Sequence, residues 1–246
     1  MAGEAAVDLS LILPVHDEVE SLPLLWPELE QVLWEIDGVT EIIFVDDASA
    51  DGSTELIRDL LTRDKRVRLI RLGRRGGLTA AFLAGFAAAR GAVVATMDTD
   101  LQNDPRELPR LLAALDHHDA AVGWRRTRRD PWLKRVSSRI GNGIRDAVTG
   151  DRVHDSASSL RVMRRECLAA IPPYQGMHRF VPTLLRIAGY RVAEVPVAHR
   201  PRRFGRSKYG VRNRARRAFA DLLAVRWMMQ RRLRYEVVED TGGDDP

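Results

Sequence analysis

The sequence predicts an α/β fold, a mostly parallel sheet with helices on both faces, and three observations predict it. Short apolar runs rich in β-branched residues alternate with stretches of helical spacing through the first half of the chain. The runs are apolar throughout, as strands covered on both faces require. A polar or acidic cluster follows each of several runs directly, which is where open parallel sheets hold their ligands.

Leu9–Val15 is the first such run, closed by Pro14 and the polar His16-Asp17-Glu18. Leu24–Ile36 has helical spacing, and Glu41–Val45 (EIIFV) is a second buried strand. Asp51-Gly52-Ser53-Thr54 then supplies turn and N-cap chemistry for a helix with Leu56, Ile57, Leu60 and Leu61 on one face. Val67–Leu72 is a third strand, Leu78–Ala89 a helix entered through Gly76-Gly77, and Ala92–Met97 a fourth strand. Pro105–Leu115 starts with proline, as a helix can, and Ala120–Gly123 is a fifth strand. The rhythm then changes. Arg125–Arg135 reads as a basic loop, Val136–Val148 as a helix, 149–159 as a loop and Leu160–Met163 as a short strand. Helices near Arg165–Ala170 and Phe180–Ala188 and a strand near Val192–Val197 precede a basic tail. There are no internal repeats and no interdomain linker. The organisation expected is one domain over residues 1–210, a basic amphipathic helical segment over 211–238 and a disordered acidic, glycine-containing end over 239–246.

Composition narrows the function classes. The 246 residues are 45% hydrophobic and 30% charged, which suits a chain with a sizeable core. A single cysteine, Cys167, excludes intrachain disulfides and cysteine-based zinc sites. The N-terminal MAGEAAVD offers no basic region followed by an apolar run, so no signal peptide is expected. The longest weakly polar stretch, Leu78–Ala89, falls well short of the ~20 residues that cross a bilayer. Charge is unevenly placed. From His199 to Arg234 there are 13 Lys and Arg against the single acid Asp221, while the remainder carries 26 basic and 33 acidic residues. An anionic partner for that segment follows: lipid, nucleic acid or a phosphate-bearing substrate.

Four clusters at strand ends carry the chemistry. Asp98-Thr99-Asp100 places two carboxylates two residues apart after a buried strand. Such a pair can share one Mg²⁺ or Mn²⁺, with Gln102 adding a carbonyl oxygen. In Asp46-Asp47, adjacent acids follow a buried strand, and a carboxylate there is suited to accept hydrogen bonds from a ribose or base. Pro14 and Glu18 border the same edge and are assigned to substrate binding. Arg74-Arg75-Gly76-Gly77-Leu78 is a basic approach to a helix N-terminus, suited to an anion but lacking Walker spacing.

Taken in order, PVHDE, VDDASADGST, RRGGLTAAFLAG and MDTDLQNDP resemble the family 2 inverting glycosyltransferases of the GT-A (Rossmann-like) fold over residues 9 to 210. HRPRRFGRSKYG at 199–210 is similar to the R-x-x-G-x-S-K motif of the dolichol-phosphate mannosyltransferases and bacterial polyprenyl-phosphate glycosyltransferases. VGWRR, SSRIGN and DSASSLRVMRR look like the same subgroup. The resemblance implies a nucleotide-sugar donor linked through GDP or UDP, a polyprenyl phosphate acceptor, and inversion at the sugar. It implies that Asp47 contacts the nucleoside and that Asp98, Asp100 and Gln102 engage donor and metal. Arg202, Ser207 and Lys208 lie over the diphosphate, and Arg125 and Arg139 hold the acceptor phosphate. Asp155 is either a positioning residue or, for a saccharide hydroxyl acceptor, the general base. Two departures from the family pattern concern nucleoside and sugar choice: His16-Asp17 stands where relatives often carry Tyr-Asn, and Ala157-Ser158-Ser159 lacks their Gly or Cys.

The tail's Phe219, Leu222, Leu223, Met229 and Leu233, flanked by arginines, fit an interfacial helix. That implies a cytoplasmic protein held peripherally at the inner membrane face, with core packing or homo-oligomerisation as the other uses of such a stripe. Nucleic acid is excluded as the partner, because ordered acids at strand ends repel phosphates unless a metal intervenes. A sugar nucleotidyltransferase would need a Gly-rich basic loop after the first strand, which Pro14–Glu18 does not supply.

Overall fold

The computed structural model describes residues 6–125, 150, 153–204 and 211–231. Arg139, Ser207 and Lys208, and the helix expected at Val136–Val148, lie outside the described residues. Seven strands form one sheet: β1 (Leu9–Val15), β2 (Thr40–Asp46), β3 (Val67–Arg71), β4 (Val93–Thr96), β5 (Ala120–Arg125), β6 (Arg161–Arg164) and β7 (Val192–Val197). Their order is β3-β2-β1-β4-β6-β5-β7. The β1–β2, β1–β4, β2–β3 and β5–β7 pairs are parallel, and β6 runs antiparallel to both β4 and β5. The six α-helices described are α1 (Leu22–Trp34), α2 (Ser53–Arg63), α3 (Leu78–Ala88), α4 (Leu108–Ala113), α5 (Val181–Ile187) and α6 (Val211–Gln230).

Strand alternation divides the core. Leu9, Leu11, Leu13, Val15, Ala95 and Met97 face α1, α2 and α4, whereas Ile12, Ile43, Val45, Val94 and Met163 face α3, α5 and α6. The chain crosses outward from β1 to β2 and β3, then returns to β4 on the other side of β1. The β1/β4 boundary is therefore the topological switch point, where a crevice opens beyond the strand ends.

Local differences from the sequence expectations have local causes. Pro105–Asp116 is a 3₁₀ turn, a short α-helix and a second 3₁₀ turn rather than one helix. Pro109 has no N–H to give the preceding turn. Leu61 of α2 is exposed, because β3 is an edge strand and gives α2 less sheet to cover. On α6 the buried stripe is Leu222 and Val225, with Met228 and Met229 packed alongside, so the helix covers the core with one face. Leu223, grouped with Leu222 by sequence spacing, points outward with Trp227; the two are 48% and 61% exposed. No helix among the described residues is long and apolar enough to cross a membrane.

At the N-terminal end of the sheet a polar lock fixes the α3–β4 connection. The buried Ser10 Oγ donates to Glu41 and accepts from Gly91 N at 2.8 Å, while Glu41 also accepts from Arg68 and Arg90. A Cβ on Gly91 would lie 2.5 Å from Ser10 N and 2.8 Å from Leu9 C, both backbone atoms of the central strand. Gly91→Ala is expected to destabilise by about 1–3 kcal/mol, as overpacking against unyielding atoms does. Urea unfolding checks it: a lowered midpoint at unchanged m-value is expected, and an unchanged midpoint contradicts the account.

Candidate active site

Beyond the C-terminal strand ends lies a cleft of about 720 Å³. Its walls include Pro14–His16, Glu18, Asp47, Arg75–Thr79, Asp98–Asp100, Gln175, Gly176, His178, Arg179, Arg202 and Asp221. Of the residues singled out from sequence, Pro14, Glu18, Asp47, Asp98, Asp100 and Arg202 meet here. Gln102, Arg125 and Asp155 stand behind them.

Three turns that build the cleft use left-handed backbone at residues other than glycine: Asp17 (φ 55°), Ala48 (φ 55°) and Leu101 (φ 63°). They follow β1, β2 and β4, at the sheet end where the crevice opens, and strain of this kind concentrates where side chains must be aimed. The neighbouring bonds hold it in place. Asp46, fully buried, accepts from Ser49 N and Thr54 Oγ1 and closes the β2–α2 turn. His16 Nδ1 meets Asp47 O at 2.8 Å, and Leu101 is buried in the core below.

Of the two adjacent acids, Asp46 is thus structural and Asp47 reaches the cleft. Its carboxylate accepts from Gly76 N and Gly77 N at 2.6 and 2.8 Å. Asp47 therefore shapes the loop that enters α3, a role that the spacing of the acids does not reveal. Glu18 accepts from Ser21 Oγ at 2.7 Å, and the carbonyl of Pro14 accepts from Thr99 Oγ1 at 2.9 Å, tying β1 to the turn after β4.

Asp98 continues the parity of Val94 and Thr96 and so projects on the α3 side of the sheet. Burial, and next the charge of Asp100, push its carboxyl up to about 6, against the pull of Ser159, Arg161 and Arg125. Arg202 Nη2 donates to Asp100 Oδ2 at 2.5 Å and to Gln102 Oε1 at 3.4 Å. Its segment is anchored by Arg200, whose backbone N–H donates to Gln102 O at 2.9 Å and whose side chain bridges Glu28 and Asp104.

Among the described residues no three His, Cys, Asp or Glu side chains converge on a metal position. Asp98, Asp100 and Gln102 nevertheless fit a hard divalent cation that completes its shell with phosphate oxygens. The donors are all oxygen, two carboxylates repel each other across the gap, and a guanidinium already stands beside Asp100 and Gln102.

Behind Asp98, Arg125 Nε and Nη2 donate to the two oxygens of the buried Asp155 at 2.6 and 2.8 Å. Arg161, 2% exposed, lies between Asp98 and Asp155 in charge terms and donates to His178 O at 2.6 Å. Arg161, Thr79 and Asp221 are site-region residues that the sequence reading did not assign. Asp221 carried a signal: it is the lone acid in a run of thirteen cations. Cys167 is buried, and burial pushes its thiol up to about 11, so it is no nucleophile.

The sheet order and the cleft at the β1/β4 switch point define a GT-A-type fold, and comparison with known proteins supplies the family. The model for Glycosyl transferase family 2 matches residues 10–171. The chain belongs to glycosyltransferase family 2. It is 34% identical over 93% of its length to a dodecaprenyl-phosphate galacturonate synthase of Rhizobium johnstonii, covering 69% of that protein. It is 37% identical over 82% of its length to an undecaprenyl-phosphate 4-deoxy-4-formamido-L-arabinose transferase of Aeromonas hydrophila, covering 63% of it. The chain thus spans about two thirds of the length of these relatives. The same fold occurs in glucosyl-3-phosphoglycerate synthase of Mycobacterium tuberculosis, solved with Mn²⁺, UDP-glucose and phosphoglyceric acid. There the TM-score is 0.69 at 20% identity, over 90% of this chain and 80% of that one.

Proposed function

We propose that the chain transfers a sugar from a nucleoside-diphosphate donor, GDP- or UDP-linked, to a polyprenyl phosphate, with inversion and with Mg²⁺ or Mn²⁺. The observation that carries this is the acidic pair Asp98/Asp100, with Arg202 against it, in the cleft at the β1/β4 switch point. The two relatives named above, both of which act on polyprenyl phosphates, support the acceptor.

The nucleoside lies along Pro14–Glu18, Asp47 and Gly76-Gly77. Asp98, Asp100 and Gln102 hold the cation, which when bound neutralises charge developing on the leaving diphosphate. Arg202, moved from Asp100 onto the diphosphate, adds fixed positive charge, and the family resemblance gives Ser207 and Lys208 the same diphosphate-binding role. An acceptor phosphate oxygen attacks the anomeric carbon in line while the diphosphate leaves from the opposite face. That oxygen is already anionic, so no general base is needed. Arg125 and Arg139 guide the acceptor phosphate, and Asp155 orients Arg125. The rival reading, a saccharide hydroxyl acceptor deprotonated by Asp155, is disfavoured: both Asp155 oxygens accept from one guanidinium. The outward residues Leu223 and Trp227 of α6 favour peripheral attachment at the inner membrane face.

The test is incubation of labelled GDP- and UDP-sugars with polyprenyl phosphate, with and without EDTA. Label entering the organic phase only when metal is present is the expected result. Label passing only to saccharide hydroxyls, or transfer indifferent to EDTA, overturns the proposal.

A further inference from the structure

We propose that Arg179, held by Asp221, is a further ligand of the acceptor's phosphate, seating inside the cleft the group that Arg125 and Arg139 guide; this rests on the polyprenyl-phosphate reading above. Gln175, Gly176, His178, Arg179 and Asp221 line the cleft on the side of the sheet to which Asp98 projects. That wall is pinned from both ends. Thr79 Oγ1 accepts from Gly176 N at 3.0 Å and pairs with His178 Nδ1 at 2.7 Å, and the buried Arg161 holds His178 O. Gly176 turns with φ 99°, and a Cβ there would sit 2.4 Å from Asp221 Oδ2, so only glycine admits the Asp221 carboxylate at this point.

The arginines around the cleft differ in how their donors are used. Arg125 gives two donors to Asp155, and Arg200 gives one each to Glu28 and Asp104. Arg179 gives Nη1 to Asp221 at 3.2 Å, and its buried Nε meets no acceptor among the described residues. The hydroxyl of Tyr174, next to this pair, is also buried without a partner. Burial, with Asp221 beside it, holds the Tyr174 phenol protonated, so it remains a donor. Arg179, on the cleft wall, thus keeps a donor with no acceptor among the described residues, and Tyr174 behind it offers another, an arrangement that favours a ligand rich in acceptors and poor in donors. A phosphate monoester is such a group, and arginine meets it in bidentate geometry. Asp221 takes one edge of the guanidinium and fixes its plane, leaving the Nε edge. The location suits an acceptor delivered from a lipid surface: Asp221 belongs to α6, and the exposed Leu223 and Trp227 lie within two turns of it.

The donor diphosphate shares this chemistry, so the test separates the two phosphates. Arg179→Gln, Arg179→Lys and Asp221→Asn are each assayed with donor and acceptor varied independently, after thermal melts confirm a folded protein. Binding of a short-chain polyprenyl phosphate is measured beside that of the corresponding alcohol. Arg179→Gln is expected to raise the acceptor KM at least about tenfold, the loss of a charge-assisted hydrogen bond, with donor KM unchanged. It should also bring phosphate and alcohol to equal, weak binding. Arg179→Lys recovers part of the difference, and Asp221→Asn shows a smaller rise in acceptor KM. An unchanged acceptor KM in folded Arg179→Gln overturns the assignment, as does a parallel rise in donor KM, which would move Arg179 to the donor diphosphate. If the unaltered protein transfers to no polyprenyl phosphate, the acceptor reading itself is what fails, and this assignment falls with it.

Discussion

Asp98→Asn is expected to lower turnover by at least about a thousandfold while leaving the metal-free protein no less stable at pH 7.5. The two effects separate because the Asp98 carboxyl is pushed up to about 6, from an ordinary 3.8, by burial and by Asp100. Folding therefore favours its protonated form. The contribution to stability is fully present below the ordinary value and is lost as pH rises through about 6, so the charged group is a cost to the empty fold at pH 7.5. Asparagine removes that cost and with it the cation site. A companion measurement follows from the same residue. Mn²⁺ should raise the melting temperature of the unaltered protein at pH 7.5 and much less at pH 5, where the ion must displace a proton, and should not raise that of Asp98→Asn. Retention of a tenth of the activity in the variant, or equal Mn²⁺ shifts at both pH values, contradicts the assignment.

Asp155→Ala should damage the fold as well as the reaction. The carboxylate is 5% exposed, accepts two hydrogen bonds from Arg125 and balances the fully buried Arg161. Removing one partner of such a group leaves uncompensated cations, a loss of roughly 3–5 kcal/mol. Denaturant midpoints measure it. Asp155→Asn keeps the shape but not the charge and should fall between the two. In the double variant Asp155→Asn, Arg125→Gln the two effects should be less than additive. A midpoint for Asp155→Ala equal to that of the unaltered protein would show that Arg125 and Arg161 find other partners.

The parts of the fold that were legible in the sequence are those written in contiguous residues. The first five strands and the helices between them are apolar runs bounded by turn chemistry. The acids that follow β1, β2 and β4 converge because parallel strands end at one edge of the sheet. The direction of β6 was not legible: Arg161–Arg164 is too short for its neighbours to dictate parallel or antiparallel pairing, and its register depends on β4 and β5, some 40 to 70 residues earlier. Side-chain partners were hidden in the same way wherever they are distant in sequence. The hold of Asp47 on the loop entering α3 was not legible, because Gly76 and Gly77, which donate to its carboxylate, lie 29 and 30 residues away. Arg161 reads as an ordinary strand residue, and Asp221 as an exception in a basic run, until the turn at 174–179 comes between them.

The reversal of β6 also bears on how such a cleft can diversify. A strand running against its neighbours delivers to the shared rim the stretch that precedes it, so Asp155 and Ser159 enter from upstream while Asp47, Asp98 and Asp100 enter from downstream of their strands. Substitutions in the described 153–159 stretch can therefore alter what the rim presents without shifting a single rung of the ladder beneath.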